Sequence, residues 1–144
     1  RQRQMCIRDR NIIYGKNAVI TPHEGELRSI LPNLKGNCID KALKAASELN
    51  CIVVLKGATT VIASPDNKAI VNCAGAKWLA TAGSGDVLAG IIGGLLAQHY
   101  NILEATKLGC FIHSECGNRL GRGLIASDLI AEIPNILSEM TASD

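Results

Sequence analysis

The segment from Ala80 to Gly90 combines small residues with one carboxylate, in the order Ala-Thr-Ala-Gly-Ser-Gly-Asp-Val-Leu-Ala-Gly. Small residues allow a tight turn. The helix expected to follow begins with unpaired N–H groups and a positive dipole end, which can hold a phosphate. Asp86 falls in the first helical turn, where its carboxylate can take a proton from a substrate hydroxyl. The competing interpretation is that Asp86 only stabilises the helix start and that the glycines only permit close packing.

Two better-known glycine motifs do not fit this segment. A P-loop needs Lys followed by Ser or Thr after its last glycine, and no such pair follows here. A dinucleotide-binding G-x-G-x-x-G that starts at Gly83 needs glycine at its sixth position, which is occupied by Leu88. The segment therefore predicts an anion site outside these two motif classes.

A second constellation, Lys56-Gly-Ala-Thr-Thr60, follows a continuous apolar strand and precedes a predicted hairpin. Ligands of open α/β sheets gather at the carboxyl ends of strands. Backbone N–H groups around Gly57 and the hydroxyls of Thr59 and Thr60 can therefore meet a nucleotide phosphate. The competing interpretation is a β-turn followed by ordinary strand threonines.

The third constellation, Thr21-Pro-His-Glu-Gly-Glu26, also stands at a strand end that opens a helix. Two acids and a histidine suggest a metal, but the zinc motif H-E-x-x-H fails because its last position is Leu27. We expect His23 to contact substrate or to cap the helix, and His99 and His113 to be structural. The sequence predicts no metal site.

Composition and charge limit the class of protein. The chain has 144 residues, about one domain, with 47% apolar, 19% charged and 3% aromatic residues, which excludes disorder. A core of small aliphatic residues beside 14 glycines favours helices packed on a parallel sheet. The net charge of +2 falls to −1 without residues 1–10, which hold four arginines and one aspartate. We therefore expect no nucleic-acid partner.

Residues 1–10, Arg-Gln-Arg-Gln-Met-Cys-Ile-Arg-Asp-Arg, fit no helical or strand period. They resemble the translated adapter sequence found at the ends of metagenomic open reading frames. We interpret them as a non-native adapter or assembly scar and exclude them from the fold prediction. The alternative is a genuine basic arm.

The cysteines and apolar runs bear on location. None of the six cysteines forms a C-x-x-C pair, which favours buried free thiols in a reducing cytoplasm over disulfides or a zinc site. The longest apolar run, Val87 to Ala97, is too short to span a bilayer. The basic N-terminus is not followed by an apolar signal-peptide core. The sequence thus predicts a cytoplasmic protein without a membrane partner.

The remaining periodicities predict alternating strands and helices. The expected strands are 17–21 and 51–56, followed by a hairpin of 60–63 and 68–72. The expected helices run from Glu24 to Pro32, from a cap at Asp40 to Leu49, from Ser84 to about Gln98, from Ile102 to about Leu120, and onward from Ser127 or Asp128, with Pro134 bending or restarting the last one.

Taken in this order, the three constellations resemble the carbohydrate kinase-like, ribokinase-fold superfamily, and most specifically its ADP/ATP-dependent NAD(P)H-hydrate dehydratases. The resemblance rests on Thr21–Glu26, Val54–Ile62, Leu79–Ile92 and the tail Gly123–Ile130. It runs from about Asn17 to Leu137. It implies a three-layer ribokinase-like α/β domain, a parallel sheet with flanking helices and a β-hairpin.

The resemblance also implies an activity. In such enzymes ADP or ATP, accompanied by Mg²⁺ with ligands we do not assign, phosphorylates the ring hydroxyl of hydrated NADH or NADPH, and phosphate elimination restores the cofactor. Carried over residue by residue, Asp86 acts as base and contacts the substrate hydroxyl, and His23 contacts the hydrated cofactor. The implied anion hole is Gly83, Ser84 and Gly85, and the implied nucleotide contacts are Lys56, Gly57, Ala58, Thr59, Thr60 and Gly85.

Two departures from the family pattern qualify these roles. A Gly-Asn-x-Gly stretch of many relatives is replaced by Ala-Gly-Ala-Lys-Trp at 74–78, which leaves Trp78 as packing, lid or nucleotide contact. The chain also starts at the strand before the T-P-H-x-G-E segment. We therefore expect residues 11–144 to be the C-terminal part of an N-terminally truncated domain with low activity of its own. An NAD(P)HX epimerase is an expected partner or fused domain, and a homo-oligomer is possible.

Two rival functions stay open at this point. One is a superfamily kinase for a hydroxymethyl thiazole or pyrimidine, which would release a phosphorylated product. The other is a nucleotide-binding fragment without catalysis.

Overall fold

The structure is a computed structural model that describes residues 14–72 and 77–141. The predicted adapter segment 1–10 lies outside the described residues, as do Cys6 and Cys73. The chain divides into two compact units, residues 1–71 and residues 72–144.

The first unit contains two helices and a four-stranded sheet. Its elements are β1 (Val19–Ile20), α1 (Glu24–Ile30), α2 (Cys38–Leu49), β2 (Ile52–Leu55), β3 (Thr60–Ser64) and β4 (Lys68–Asn72), the last residue of which begins the second unit. The sheet order is β1-β2-β3-β4. β1 runs parallel to β2, whereas β2 runs antiparallel to β3. The described sheet is therefore mixed, and β2 has a parallel neighbour on one side only.

Burial explains why β2 is a continuous apolar run. All four of its residues are buried, so no face of the strand needs polar side chains. Helix α2 covers the sheet with a stripe at helical spacing, namely Ala42, Ala45, Ala46 and Leu49. Three alanines in that stripe let the helix approach the buried strands closely.

The start of α2 corrects one prediction. The N-cap is Asn37, whose side chain accepts hydrogen bonds from the N–H groups of Ile39 and Asp40. Asp40 is the third helical residue, and its carboxylate accepts from Asn37 N–H at 3.0 Å. The prediction was wrong by three residues because a capping box offers two polar side chains, and either can be mistaken for the cap.

The second unit is helical in its described part. A 3₁₀ turn (Lys77–Leu79) precedes α3 (Ser84–Ala97), α4 (Ile102–Leu120) and α5 (Ala126–Thr141). Of the two outcomes predicted at Pro134, a bend or a restart of the last helix, the restart was wrong, because α5 continues through Pro134. Helix α5 begins before Asp128, whose carboxylate accepts from Ile125 N–H at 2.9 Å.

Close packing of α3 on α4 is set by one glycine. A Cβ at Gly109 would lie 2.6 Å from Ile92 Cγ1, so only glycine fits at this contact. The buried face of α3 is Ser84, Leu88, Ile92 and Leu95. This face fixes the rotation of α3 about its axis, and the rotation decides which groups its first turn exposes.

All four described cysteines are free. Three of them, Cys51, Cys110 and Cys116, are buried, and burial raises the pKa of the Cys51 thiol to about 11 and that of Cys110 to about 12. The expectation of buried thiols was wrong for Cys38, which is exposed as the first residue of α2. No helix in residues 14–72 or 77–141 has the length and apolar character needed to cross a membrane.

Candidate active site

In the first unit, the ends of β1 and β2 bring two of the predicted constellations together. His23 follows β1 and forms an isolated parallel bridge with Lys56, which follows β2. The Lys56 N–H donates to the carbonyl oxygen of Pro22 at 2.9 Å. The second and third constellations of the sequence analysis therefore meet where parallel strands present their carboxyl ends.

His23 caps helix α1 with its imidazole. Its Nδ1 accepts from Glu26 N–H at 3.2 Å, and Glu26 Oε2 accepts from His23 N–H at 2.8 Å, which completes a capping box. An accepting Nδ1 places the proton of the neutral ring on Nε2. The imidazole is 60% exposed, so Nε2–H can also donate to a ligand. Capping and ligand contact are therefore compatible roles.

Glu26 is a site residue that sequence reasoning missed. Its Oε2 lies 3.9 Å from Lys56 Nζ, and its Oε1 lies 3.6 Å from His23 Nε2. It therefore links the two side chains that the resemblance assigned to different ligands. The spacing of a capping box, a cap followed three residues later by glutamate, was the available signal. We call His23, Glu26 and Lys56 the strand-end cluster.

The loop after Lys56 exposes its backbone. Gly57 and Ala58 are exposed, whereas Thr59 and Thr60 are half-buried at the entrance to β3. An ideal Cβ at Gly57 would meet Thr59 O at 3.4 Å, an ordinary contact. The loop therefore leaves main-chain groups accessible beside a lysine, an arrangement that suits an anionic ligand.

In the second unit, helix α3 begins without a side-chain cap. Its N-cap, Gly83, has φ +83°, a left-handed conformation that glycine adopts without strain. Ser84 N–H donates to Thr81 O at 3.2 Å, and the N–H groups of Asp86 and Val87 both donate to Gly83 O at 3.1 Å.

Two backbone donors remain at this helix start. The N–H groups of Gly83 and Gly85 find no acceptor in the described part of the chain. Asp86, in the same turn, has an exposed side chain. Two N–H donors, a helix dipole and an accessible carboxylate can bind an anion and accept a proton beside it. We call Gly83, Ser84, Gly85 and Asp86 the helix-start cluster.

Ser84 differs from its neighbours because its side chain points into the protein. It is 1% exposed, and its Oγ lies 2.9 Å from Nε2 of His113 on α4. The hydroxyl of Ser84 therefore serves packing, and any anion contact it makes would come from its main chain. His113 was predicted to be structural, and nothing in its sequence neighbourhood shows that it touches the glycine-rich segment.

The described residues have no group of three or more His, Cys, Asp or Glu side chains that could hold a metal ion. Trp78 is 42% exposed in the 3₁₀ turn, while residues 74–76 lie outside the described part.

Comparison with known proteins gives a consistent result. The family model Carb_kinase, described as NAD(P)H-hydrate dehydratase, matches residues 8–138. The chain is 39% identical over 128 residues to the bifunctional NAD(P)H-hydrate repair enzyme Nnr of Thermofilum pendens, covering 83% of this chain and 24% of the relative. It is 38% identical over 140 residues to the ADP-dependent (S)-NAD(P)H-hydrate dehydratase of Neisseria meningitidis. This match covers 94% of this chain and 44% of the relative.

Solved structures show the same fold. The ADP/ATP-dependent NAD(P)H-hydrate dehydratase of Bacillus subtilis, co-crystallized with ATP/Mg²⁺, superposes with a TM-score of 0.78 at 30% identity, covering 84% of this chain and 47% of that one. A ribokinase-like superfamily protein of Enterococcus faecalis superposes with a TM-score of 0.77 at 26% identity, covering 88% of this chain and 45% of that one. The predicted ribokinase-like α/β fold is confirmed.

The chain spans about a quarter of the length of the bifunctional relatives and less than half of the shorter dehydratases. Within that span the match runs through both units, and the resemblance inferred from the glycine-rich and T-P-H-x-G-E segments is confirmed. The chain belongs to the NAD(P)H-hydrate dehydratase family.

Proposed function

We propose that this chain contributes the nucleotide-handling and catalytic residues of an ADP- or ATP-dependent dehydratase that returns hydrated NADH or NADPH to the intact cofactor. The observation that carries the proposal is the helix-start cluster, where two backbone donors without an acceptor among the described residues stand beside an exposed carboxylate. The relatives named as NAD(P)H-hydrate dehydratases support the choice of substrate.

Asp86 is proposed as the base. Its carboxylate takes the proton of the ring hydroxyl, and the hydroxyl oxygen attacks the terminal phosphorus of the nucleotide. The bond between that phosphorus and the leaving nucleotide breaks as the new P–O bond forms. Phosphate then leaves the ring with the C–O bonding electrons, and loss of a proton from the neighbouring carbon restores the ring double bond.

Gly83 and Gly85 are proposed to bind the phosphoryl group through their N–H groups. Negative charge on the transferred group shifts during the reaction, and fixed donors stabilise it without reorganisation. Ser84, proposed from the resemblance as the third member, donates its N–H to Thr81 O at 3.2 Å. The Ser84 main chain is therefore proposed to hold the turn that presents the Gly83 and Gly85 N–H groups.

The strand-end cluster is proposed to bind the ligands. Lys56 contributes a positive charge for nucleotide phosphates, and residues 57–60, including Ala58, line the phosphates and ribose. His23 donates from Nε2 to the hydrated cofactor. Glu26 holds both side chains in place, because it accepts from the His23 backbone and pairs with Lys56.

Several wider features are proposed with the function. Mg²⁺ accompanies the nucleotide and neutralises phosphate charge, as suggested by the ATP/Mg²⁺ co-crystals of the Bacillus subtilis relative. The names of the bifunctional relatives suggest an NAD(P)HX epimerase as a fused domain or partner. Residues 11–144 form the C-terminal part of the dehydratase domain, in a cytoplasmic protein that can form homo-oligomers.

Product analysis tests the proposal. The longest natural protein that contains this chain, called the complete enzyme below, is incubated with hydrated NADH and either ADP or ATP. We expect intact NADH and free phosphate to form in equal amounts. A parallel incubation with ATP and a hydroxymethyl thiazole or pyrimidine is expected to give no phosphorylated alcohol.

The two rival functions give different products. A superfamily kinase would phosphorylate the heterocyclic alcohol and leave the hydrated cofactor unchanged. A nucleotide-binding module would bind ATP, measured by calorimetry, without any product in either incubation. Either result would overturn the proposed dehydratase.

A further inference from the structure

His113 reaches from the middle of α4 to the first residue of α3. It is 7% exposed, and its Nε2 lies 2.9 Å from the Ser84 carbonyl oxygen as well as 2.9 Å from Ser84 Oγ. A buried imidazole thus touches both the main chain and the side chain of one residue in the helix-start cluster. The sequence assigned His113 only a structural part.

The contact with the Ser84 carbonyl determines that Nε2 of the His113 ring carries a hydrogen. A carbonyl oxygen can only accept, so Nε2 must carry a hydrogen and donate it to Ser84 O. Ser84 Oγ then accepts a second branch of the same hydrogen bond. The Ser84 carbonyl has two lone pairs, so it can accept from His113 in addition to a helical N–H.

The geometry of the peptide bond carries this contact to Gly85. The Ser84 C=O and the Gly85 N–H belong to one planar trans peptide unit, so they point in opposite directions and turn together. Glycines stand on both sides of Ser84, and glycine allows the widest range of backbone angles. A hydrogen bond to Ser84 O therefore restrains the direction of the Gly85 N–H.

We infer that His113 is a positioning residue that aims the Gly85 N–H at the phosphoryl group, an inference that rests on the proposed function. The Gly85 N–H is one of the two donors without an acceptor among the described residues. Donation to the carbonyl also polarises the peptide unit and makes its N–H a stronger donor. His113 thereby acts on the reaction without touching a substrate.

A second buried polar residue of α4 shows what a purely local contact looks like. Thr106 is fully buried, and its hydroxyl donates to Ile102 O within the same helix at 2.7 Å. His113 instead crosses to the first peptide unit of another helix. Thr106→Val is therefore a matched control, because it removes a buried polar group from α4 and leaves the contact with α3 in place.

The first experiment measures the Gly85 amide by NMR in the complete enzyme, with and without added ADP and Mg²⁺. His113→Leu fills the space but removes the donor, whereas His113→Gln can place an amide N–H near the position of Nε2. We expect His113→Leu to move the resonance of the Gly85 amide and to abolish its nucleotide-induced shift. His113→Gln should retain both properties largely, and Thr106→Val should leave them unchanged.

The second experiment measures steady-state kinetics in the complete enzyme. Loss of one well-aimed donor costs about 10² to 10³ in turnover, so misdirection of the donor should lower kcat at least about tenfold. KM for the nucleotide should rise by a smaller factor than kcat falls, because the contact acts mainly on the charge that develops during transfer. His113→Gln should restore most of the lost kcat.

Three results would overturn the inference. These are an unchanged Gly85 amide in His113→Leu, an equal loss of kcat in Thr106→Val, and a loss of kcat that follows only the folded fraction measured by circular dichroism. If the wild-type complete enzyme fails to dehydrate hydrated NADH, the proposed function fails. The response of the Gly85 amide to nucleotide then still decides whether His113 positions this donor.

Discussion

In the proposed function, the strand-end cluster of the first unit and the helix-start cluster of the second unit bind anions by different physical means. The strand-end cluster uses side chains, since the imidazole of His23 is 60% exposed and the carboxylate of Glu26 is 53% exposed beside Lys56. The helix-start cluster offers backbone N–H groups on either side of Ser84, a residue that is 1% exposed.

This difference predicts that substitutions in the two clusters affect ligand affinity and stability to different degrees. Ion pairs between exposed side chains contribute little to stability, so loss of Lys56 should change ligand affinity while the fold survives, whereas His23 and Glu26 also cap α1. Backbone donors have no side chain to remove, so they can be changed only by altering the conformation that holds them. Substitutions in the helix-start cluster should therefore affect stability and turnover together, with Asp86 as the exception because its side chain is exposed.

The largest expected effect comes from Asp86→Asn. It removes the proposed base but keeps the size of the side chain, so turnover in the complete enzyme should fall about 10² to 10⁴-fold. The matched control is Asp128→Asn, which removes a carboxylate from the first turn of α5. Steady-state assays of both variants check the prediction. Equal losses of turnover would show that Asp86 only stabilises a helix start.

Gly83→Ala should break the helix-start cluster through the fold. Its φ of +83° is strained for alanine, and the new Cβ would lie 3.1 Å from the Cβ of Ala126. We expect a loss of about 1–2 kcal/mol in the free energy of unfolding, measured in urea, together with a fall in turnover. Gly90→Ala, where a Cβ meets nothing within 4 Å, should gain about 0.5–1 kcal/mol. Equal stability of the two variants would contradict the assigned backbone geometry.

Gly25→Ala should disturb the strand-end cluster without harming the fold. A Cβ at Gly25 would lie 3.0 Å from His23 Cε1, so the exposed imidazole must move. Alanine also favours the helix. We expect KM for the hydrated cofactor to rise about threefold or more, while the midpoint of thermal unfolding does not fall. An unchanged KM would remove His23 from the proposed cofactor contacts.

Acid titration should give the smallest effects, one in each unit. A hydrogen bond from Lys41 holds the pKa of Glu24 below its usual 4.5, and hydrogen bonds from Arg119 lower the pKa of Glu139 in the same way. Carboxylates with a lowered folded pKa stabilise the protein above pH 4.5, and this stabilisation is lost as the pH falls through the lowered values. Glu24→Gln and Glu139→Gln should each flatten the fall in unfolding free energy between about pH 5 and about pH 3. Urea unfolding at both pH values measures this fall in unfolding free energy. A fall as large as that of the wild type in both variants would contradict the two pKa shifts.

Much of the fold could be predicted because local signals agreed with packing. The buried run that became β2 and the helix that starts at Ser84 each followed from apolar pattern and composition. One boundary failed for a local reason, because Asn37 and Asp40 compete for the role of cap in one capping box. At Pro134 only the predicted alternative of a restart was wrong, since α5 continues through this residue.

The site was predictable only where residues that act together are also near in sequence. The Gly83–Asp86 segment and the placement of His23 and Lys56 at strand ends followed from motifs, whereas the bridge between His23 and Lys56 came from the structure. His113 could not be found in this way, because it lies 29 residues from Ser84 and its contact depends on how α3 and α4 pack. Long-range packing leaves no local pattern in a single sequence.

One measurement tests most directly whether Lys56 binds the nucleotide and Asp86 acts in catalysis. The nucleotide dissociation constant and kcat are determined in the complete enzyme for Lys56→Met and Asp86→Asn. Lys56→Met should weaken nucleotide binding at least about tenfold and leave kcat at saturation within about twofold, because a charged contact to phosphate is lost. Lys44→Met, at an exposed lysine paired with Glu48, is the control and should change neither. Asp86→Asn should bind nucleotide like the wild type and lose turnover. If Lys56→Met loses kcat without losing affinity, or if Asp86→Asn loses affinity rather than kcat, the proposed roles of the two clusters are wrong.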